Sequence, residues 1–151
     1  MESHAWAVRC CRGDAMEAED ILHRAYMKVL AGEARFSGRS SFKTWLFGVI
    51  RRTAREQARQ GWLRVLRLER WWREREPNED APAEDERVVR LRMTLARLSK
   101  RQQEVLHLVF YQELTIQEAA EVLAMPVGTA RTHYERGKER LRQLLERLED
   151  R

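Results

Sequence analysis

The stretch LTIQEAAEVLAMPVGTARTHYERGKERL, from Leu114 to Leu141, constrains this chain more than any other, because it specifies two helices and the tight turn between them. Thr115 with Glu118 three residues on is a capping-box signal that opens the first helix. Ile116, Ala119, Ala120 and Leu123 then recur at helical spacing. Ala119 and Ala120 are small enough to let a second helix cross closely. Pro126 has no backbone N–H to donate and fits only the first turn of a helix, so it stops the first helix and starts the second. Ala130 and Tyr134, four residues apart, are expected to face inward, leaving Arg131, Thr132, His133, Glu135, Arg136 and Lys138 outward. Short side chains near a helix start with cations behind them suit base edges in a major groove flanked by phosphates. The pattern predicts a helix-turn-helix that binds DNA. A plain helical hairpin would account for the alanines but not for the outward basic cluster.

The charge distribution points the same way. The 151 residues carry 29 Lys and Arg against 24 Asp and Glu, a modest net charge of +5. From Arg35 to Arg75, however, twelve basic residues face only three acids, Glu56, Glu69 and Glu74. A stripe of that kind is a footprint for a polyanion, nucleic acid or an acidic protein surface. Charged residues make up 35 % and glycine and proline are scarce, which suits an all-helical protein with short turns. No apolar run approaches the roughly 18 residues of a membrane span. The start, MESHAWAVRCCRGD, lacks the apolar centre of a secretory signal, so a cytoplasmic protein is expected. Cys10 and Cys11 are adjacent, a geometry that disfavours pairing with each other. His4 and His23 lie near in sequence, yet the CxxC spacing of zinc sites is absent, so reduced thiols and no metal are expected. No carboxylate pair, Ser–His spacing or phosphate-cradling glycine loop stands out. The chain therefore reads as no enzyme and as needing no cofactor.

Along the chain, Met16 to Leu30 predicts a helix with Asp14 near its start and an apolar face of Ile21, Leu22, Ala25, Tyr26, Val29 and Leu30. Glu17, Glu19 and Asp20 complement the positive end of its dipole. Arg35 to Ser41 is a polar loop with Gly38 at its tip. A second helix runs from about Ser41 to Gln60, stopped by Gly61, with Phe42, Trp45, Leu46, Val49, Ile50 and Ala54 inside and Arg51, Arg52, Arg55 and Arg59 outside. Trp62 to Arg75 interleaves Trp62, Trp71 and Trp72 with arginines, as an extension of that helix or a separate one. PNEDAPAEDE, Pro77 to Glu86, holds two prolines and five acids and is expected to be an extended boundary. Val89, Leu91, Leu95 and Leu98 resume a helical pattern, and Ser99 with Gln102 is a second capping signal. Leu141, Leu144, Leu145 and Leu148 extend the last helix. The expected architecture is all-α: two small helical domains, residues 1–60 and 88–151, joined by a linker over residues 61–87.

Two basic helical units on one acidic tether resemble regions two and four of bacterial sigma factors of the extracytoplasmic-function type. The strings that carry the likeness are EAEDILHRAYMKVL from Glu17, FSGRSSFKTWLFGVIRR from Phe36, LSKRQQEVLHLVF from Leu98 and PVGTARTHYERGKERLR ending at Arg142. The resemblance implies a dissociable subunit that binds core RNA polymerase, chooses a promoter and opens the duplex without chemistry of its own. It implies that Asp20, His23, Arg24 and Met27 face the polymerase clamp, although relatives usually carry Gln and an acid where this chain has His23 and Arg24. Reversing a charge there can cost several kcal/mol.

By the same resemblance, Arg35, Phe36, Ser37, Gly38, Arg39, Ser40 and Ser41, with Arg51, Arg52 and Arg55, grip the minus-ten element and its melted non-template strand. Arg52 stands where Asn is common. Phe36 is a candidate platform for a flipped base, whereas Trp45, in phase with Phe42 and Val49, reads as core. Arg131, Thr132, His133 and Arg136 match positions that read the minus-thirty-five element, with Thr129 and Lys138 on phosphates. Relatives are generally restrained by an anti-sigma factor, often membrane-anchored, and the tryptophan-rich segment is a candidate for burial by one. The alternatives are a stand-alone helix-turn-helix regulator, which leaves Phe36 to Arg52 without a role, and an interaction protein that no longer engages polymerase productively.

Overall fold

A computed structural model describes residues 2–68 and 86–149, and every regular element among them is helical. In order these are α1 (Glu2–Cys10), α2 (Ala15–Leu30), α3 (Phe42–Leu68), α4 (Glu86–Leu95), α5 (Lys100–Leu106), a π-helical turn (His107–Tyr111), α6 (Ile116–Leu123) and α7 (Val127–Glu149). They fall into two packed units. One gathers Ser3–Ala34 and α3 from Val49 onward; the other gathers Arg35–Gly48 and the helices from α4 to α7. Most of the expected linker, with Trp71 and Trp72, lies outside the described residues, as does the side chain of Trp62.

In the first unit, Asp14 caps α2 by accepting the Glu17 N–H at 3.0 Å, satisfying one orphan donor of the first turn. Ala18, Ile21 and Ala25 of α2 are fully buried, as are Trp6 and Ala7 of α1. The apolar face of α2 is narrower than its composition suggests: Tyr26 is exposed and Leu30 is 81 % exposed. At about 100° of rotation per residue, Leu30 lies roughly 150° from the centre of the buried stripe. The Tyr26 hydroxyl instead pairs with Ser3 at 3.0 Å.

Helix α3 departs from expectation twice. It runs through Gly61 to Leu68, because Gly61 keeps helical backbone and lacks the left-handed geometry by which glycine ends a helix. Its buried sector also widens along its length. Thr44 and Phe47 are buried before Gly48, and Val49, Ile50, Thr53 and Ala54 after it. Phe42 is therefore 54 % exposed, and Trp45 and Leu46 are only half-buried. Arg51, expected outward, is instead buried.

The second unit is built on two capping boxes. Ser99 and Gln102 exchange hydrogen bonds of 3.2 Å at the start of α5, and Thr115 and Glu118 do so at the start of α6 (3.1 and 2.8 Å). Of the α4 pattern, Leu98 is buried, but Val89 and Leu95 are exposed and Thr94 takes the inner position, bonding the Arg90 carbonyl at 2.8 Å. Ala119, Ala120, Val122 and Leu123 of α6 pack on α7, whose Ala130 and Leu144 are buried. Leu145 is exposed, while Tyr134, expected inward, is half-buried at the rim, stacked on Phe110 with centroids 5.9 Å apart. Where α7 passes α5, a Cβ on Gly137 would stand 3.1 Å from Leu106 Cδ1, so the crossing needs glycine or local repacking.

The turn between α6 and α7 rests on Ala124, which sits in left-handed conformation (φ 51, ψ 49), with the Met125 N–H reaching back to the Ala120 carbonyl at 3.0 Å. An L-residue with a Cβ pays about 1 kcal/mol or more for that geometry. Ala124→Gly is expected to raise the stability of this unit by about 0.5–1 kcal/mol, read as a higher urea midpoint. A lower midpoint would contradict the strain assigned to Ala124.

Candidate nucleic-acid and polymerase interfaces

Three surfaces emerge from these elements. The first is the N-terminal half of α7. Because Ala130 and Gly137 face inward, Thr129, Arg131, Thr132 and Arg136 are exposed and His133 is half-buried at the edge. The Thr132 hydroxyl donates to the Gly128 carbonyl at 3.0 Å, which orients its lone pairs outward. Lys138 is already engaged: its Nζ lies 3.5 Å from the Glu135 carboxylate and 4.5 Å from the Tyr134 ring centroid. Arg131 and Arg136 have no ion-pairing carboxylate among the described residues. These two cations are thus ready for an external anion, whereas Lys138 must first release Glu135.

The second surface is the loop before α3. Arg35, Phe36, Ser37, Gly38, Arg39 and Ser41 are exposed and Ser40 is half-buried. Ser41 is the α3 cap: its Oγ accepts the Thr44 N–H at 3.1 Å and donates to Thr44 Oγ1 at 2.9 Å. Its polar capacity is therefore spent locally. Phe36, Phe42 and Trp45 form one aromatic cluster with centroids 5.4–5.6 Å apart and tilted or edge-on planes. Phe36 and Phe42 leave ring surface in solvent, 44 and 54 % exposed. Such a cluster offers a face on which an unstacked base can lie. Sequence spacing weighed Trp45 as a stacking platform but placed it and Phe42 in the core; Trp45 is half-buried and Phe42 exposed. Three aromatics within ten residues beside a glycine-tipped polar loop was the available signal. Lys43 is anchored, donating to the Gln112 carbonyl at 2.8 Å and pairing with Glu2 at 3.0 Å. On α3, Arg52, Arg55 and Arg59 are exposed, but Arg51 is 4 % exposed and is removed from the phosphate-contacting set.

The third surface lies on α2. Asp20, His23, Arg24 and Met27 are all exposed, and the last three line a groove of about 420 Å³ with Glu33, Gln57 and Gln60. The Lys28–Glu56 ion pair closes one wall between α2 and α3. Asp20 lies outside the groove lining.

Cys11 is buried and Cys10 half-buried, and neither is in a disulfide. Burial, with Glu17 and Asp14 adding repulsion, pushes the Cys11 thiol up to about 11. No cluster of potential metal ligands occurs among the described residues. No helix among them is long and apolar enough to cross a membrane.

A helix-turn-helix with outward cations and an aromatic, cation-flanked loop are two surfaces of the kind that suit nucleic acid. The comparisons specify the family. The family model Sigma-70 region 2 matches residues 3–64, and Sigma-70, region 4 matches residues 89–141. The ECF RNA polymerase sigma factor SigX of Bacillus subtilis is 32 % identical over 146 residues, covering 91 % of this chain and 75 % of that protein. SigC of Mycobacterium tuberculosis is 28 % identical over 145 residues, covering 93 and 76 %. The sigma factor RpoE of Bartonella quintana, solved with the anti-sigma factor NepR, superposes with a TM-score of 0.72 at 24 % identity, over 95 % of this chain and 89 % of that one. The chain belongs to the ECF sigma factors of the sigma-70 family, which is not known as an enzyme family.

The Cys11 environment makes a direct prediction. With the thiol near 11, the reactive thiolate is scarce at pH 7.5, and iodoacetamide should label Cys11 of a Cys10→Ser variant about a hundredfold slower folded than in urea. Equal rates would refute the burial. Since the unfolded thiol ionises near 9.0, the stability linked to Cys11 is full below that pH and is lost as pH rises towards 11.

Proposed function

We propose that this protein acts as an alternative sigma subunit: it joins core RNA polymerase and directs it to promoters through two separate DNA contacts. The observation that supports this most is the occurrence together of unneutralised Arg131 and Arg136 on a helix-turn-helix and a Phe36–Phe42–Trp45 cluster whose two phenylalanines are exposed beside a polar loop. In this reading residues 1–60 carry polymerase docking and minus-ten recognition, 61–87 tether, and 88–151 recognise the minus-thirty-five element. Arg131, Thr132, His133 and Arg136 read bases, with Thr129 and Lys138 on phosphates. Arg35 to Ser41, Arg52 and Arg55 hold the minus-ten region, and the aromatic cluster receives a base leaving the stack, which lowers the cost of opening. The α2 groove with His23, Arg24 and Met27, and nearby Asp20, docks the polymerase clamp. Each contact is weak alone, but joined on one tether the second becomes effectively intramolecular.

The protein itself performs no catalysis and works in the cytoplasm, where its polymerase resides. Since the matched RpoE structure contains an anti-sigma factor, we place this chain under the same class of inhibitor.

Run-off transcription with purified core polymerase on a promoter library tests the proposal. Transcripts that depend on this protein are expected; their absence from every template, together with tight duplex binding without polymerase, would favour a stand-alone regulator. Arg131→Ala should narrow the preference for matched over scrambled minus-thirty-five sequences by about 1–3 kcal/mol, whereas an unchanged preference would remove Arg131 from base reading. Phe36→Ala should slow opening of a closed duplex but leave initiation from a pre-melted template near wild type. Equal slowing on both would place Phe36 outside the opening step.

A further inference from the structure

Glu135 stands on the outward face of α7 among side chains suited to an anionic partner. At about 100° of rotation per residue it projects between Arg131 and Thr132, roughly 40° from the first and 60° from the second. It is exposed, and it lies roughly 150° from the inward line of Ala130 and Gly137. Arg97 and Arg140 are exposed too, but Arg140 is about 180° round the helix from Arg131 and so off this face. With Arg131 and Thr132 at base edges, Glu135 meets the same groove one turn further along. Duplex DNA is a polyanion, so a carboxylate placed there is repelled unless a hydrogen-bond donor receives it.

The two acids on this side of α7 differ in what they already hold. Glu139 pairs with Arg142 at 3.0 Å and accepts from Gln143 at 2.8 Å. Hydrogen bonds from Arg142 and Gln143 keep its carboxyl below the usual range, and its oxygens are spent within the helix. Glu135 has one ionic partner among the described residues, Lys138 at 3.5 Å, and both side chains face solvent. A pair that long and that exposed contributes little. When Lys138 turns to a phosphate, the Glu135 carboxylate is released towards the base edges.

The chemistry of those edges selects the ligand. In the major groove guanine shows two acceptors, and thymine an acceptor and a methyl group, so neither satisfies a carboxylate. Adenine shows a donor beside an acceptor, and the N7 lone pair repels the second carboxylate oxygen. Cytosine shows its N4 amino group with no acceptor beside it on the same base.

We propose that Glu135 is a specificity-determining residue that accepts a hydrogen bond from the N4 amino group of a cytosine in the minus-thirty-five element. Binding exchanges one exposed ion pair for two charge-assisted contacts at the interface: Lys138 moves to a phosphate and Glu135 to the cytosine. The same carboxylate rejects guanine and thymine at that position, because their acceptors face it. The inference rests on the proposal that α7 reads duplex DNA.

The test is selection of transcribed templates, by the protein bound to core polymerase, from a promoter library randomised across the minus-thirty-five region. Wild type should enrich cytosine at one position about tenfold over the other bases, the discrimination of one good base-edge contact. Glu135→Gln carries an amide, which pairs with adenine N6 and N7, so enrichment at that position alone should move from cytosine to adenine. Glu135→Ala should flatten that position and leave its neighbours as they were. The same cytosine enrichment in wild type and both variants would overturn the inference. Glu135→Ala that favours all templates equally more, with every base preference kept, would show that Glu135 only holds Lys138 back and would also overturn it. A wild-type preference that contains no cytosine on either strand would remove Glu135 from base reading while leaving α7 as the reader. Wild type that enriches no sequence in this region would instead sink the reading of α7 itself.

Discussion

The turn at Ala124–Pro126 sets the geometry on which the outward cationic surface of α7 depends. Its left-handed residue reverses the chain within two positions, and the Pro126 carbonyl then accepts the Ala130 N–H at 3.0 Å to begin α7. The small residues Ala119, Ala120, Ala130 and Gly137 let α6 and α5 come close to α7, which fixes the rotation of α7 about its own axis. A slip of one residue would turn α7 by about 100° and carry Arg136 away from the outward face. Interiors packed to crystal-like density do not absorb such slips, so the phase of the surface follows from the core.

A second constraint is which cations remain unspent. Lys43 is anchored to Glu2 and the Gln112 carbonyl, Lys138 to Glu135, Arg142 to Glu139, and Arg51 is buried. An ion pair at an exposed position is worth little by itself, about 0–1 kcal/mol, so a phosphate can displace its carboxylate, but the exchange gains less than binding to an unpaired guanidinium. Composition counts all these residues alike. Geometry separates them: Arg131, Arg136, Arg140 and Arg97 on one unit are available, and the neighbouring acids serve to keep other cations occupied.

The same reasoning applies to the α2 groove proposed for polymerase docking. His23 and Arg24 differ from the residues usual in relatives, yet they lie in a groove whose other groups include Glu33 and the Glu56 already paired to Lys28. The basic character there is thus partly offset by Glu33 of the turn after α2, since Glu56 is spent on Lys28. A charge change read from one helix is incomplete until the facing helix is counted.

The local signals were legible because they depend on a few adjacent residues. Asp14, Ser99 with Gln102, and Thr115 with Glu118 cap helices through bonds spanning three positions, and Pro126 acts through its own missing N–H. These determined the helical class, the helix-turn-helix and the helix starts. Periodicity also placed Ile21, Ala25, Ala119, Ala120, Leu123 and Ala130 inside, but tertiary packing decided how wide each buried face is. Helix α3 keeps one buried stripe through Thr44, Phe47, Arg51 and Ala54, but from Val49 onward its buried sector widens to take in Val49 and Thr53, a change invisible to periodicity, which assumes one face for a whole helix. The narrower sector before Gly48 leaves Phe42 exposed and Trp45 half-buried beside Phe36, while the stripe through Thr44 and Phe47 buries Arg51. Burial is set by whatever packs against a residue from distant parts of the chain, and sequence spacing holds no record of that partner.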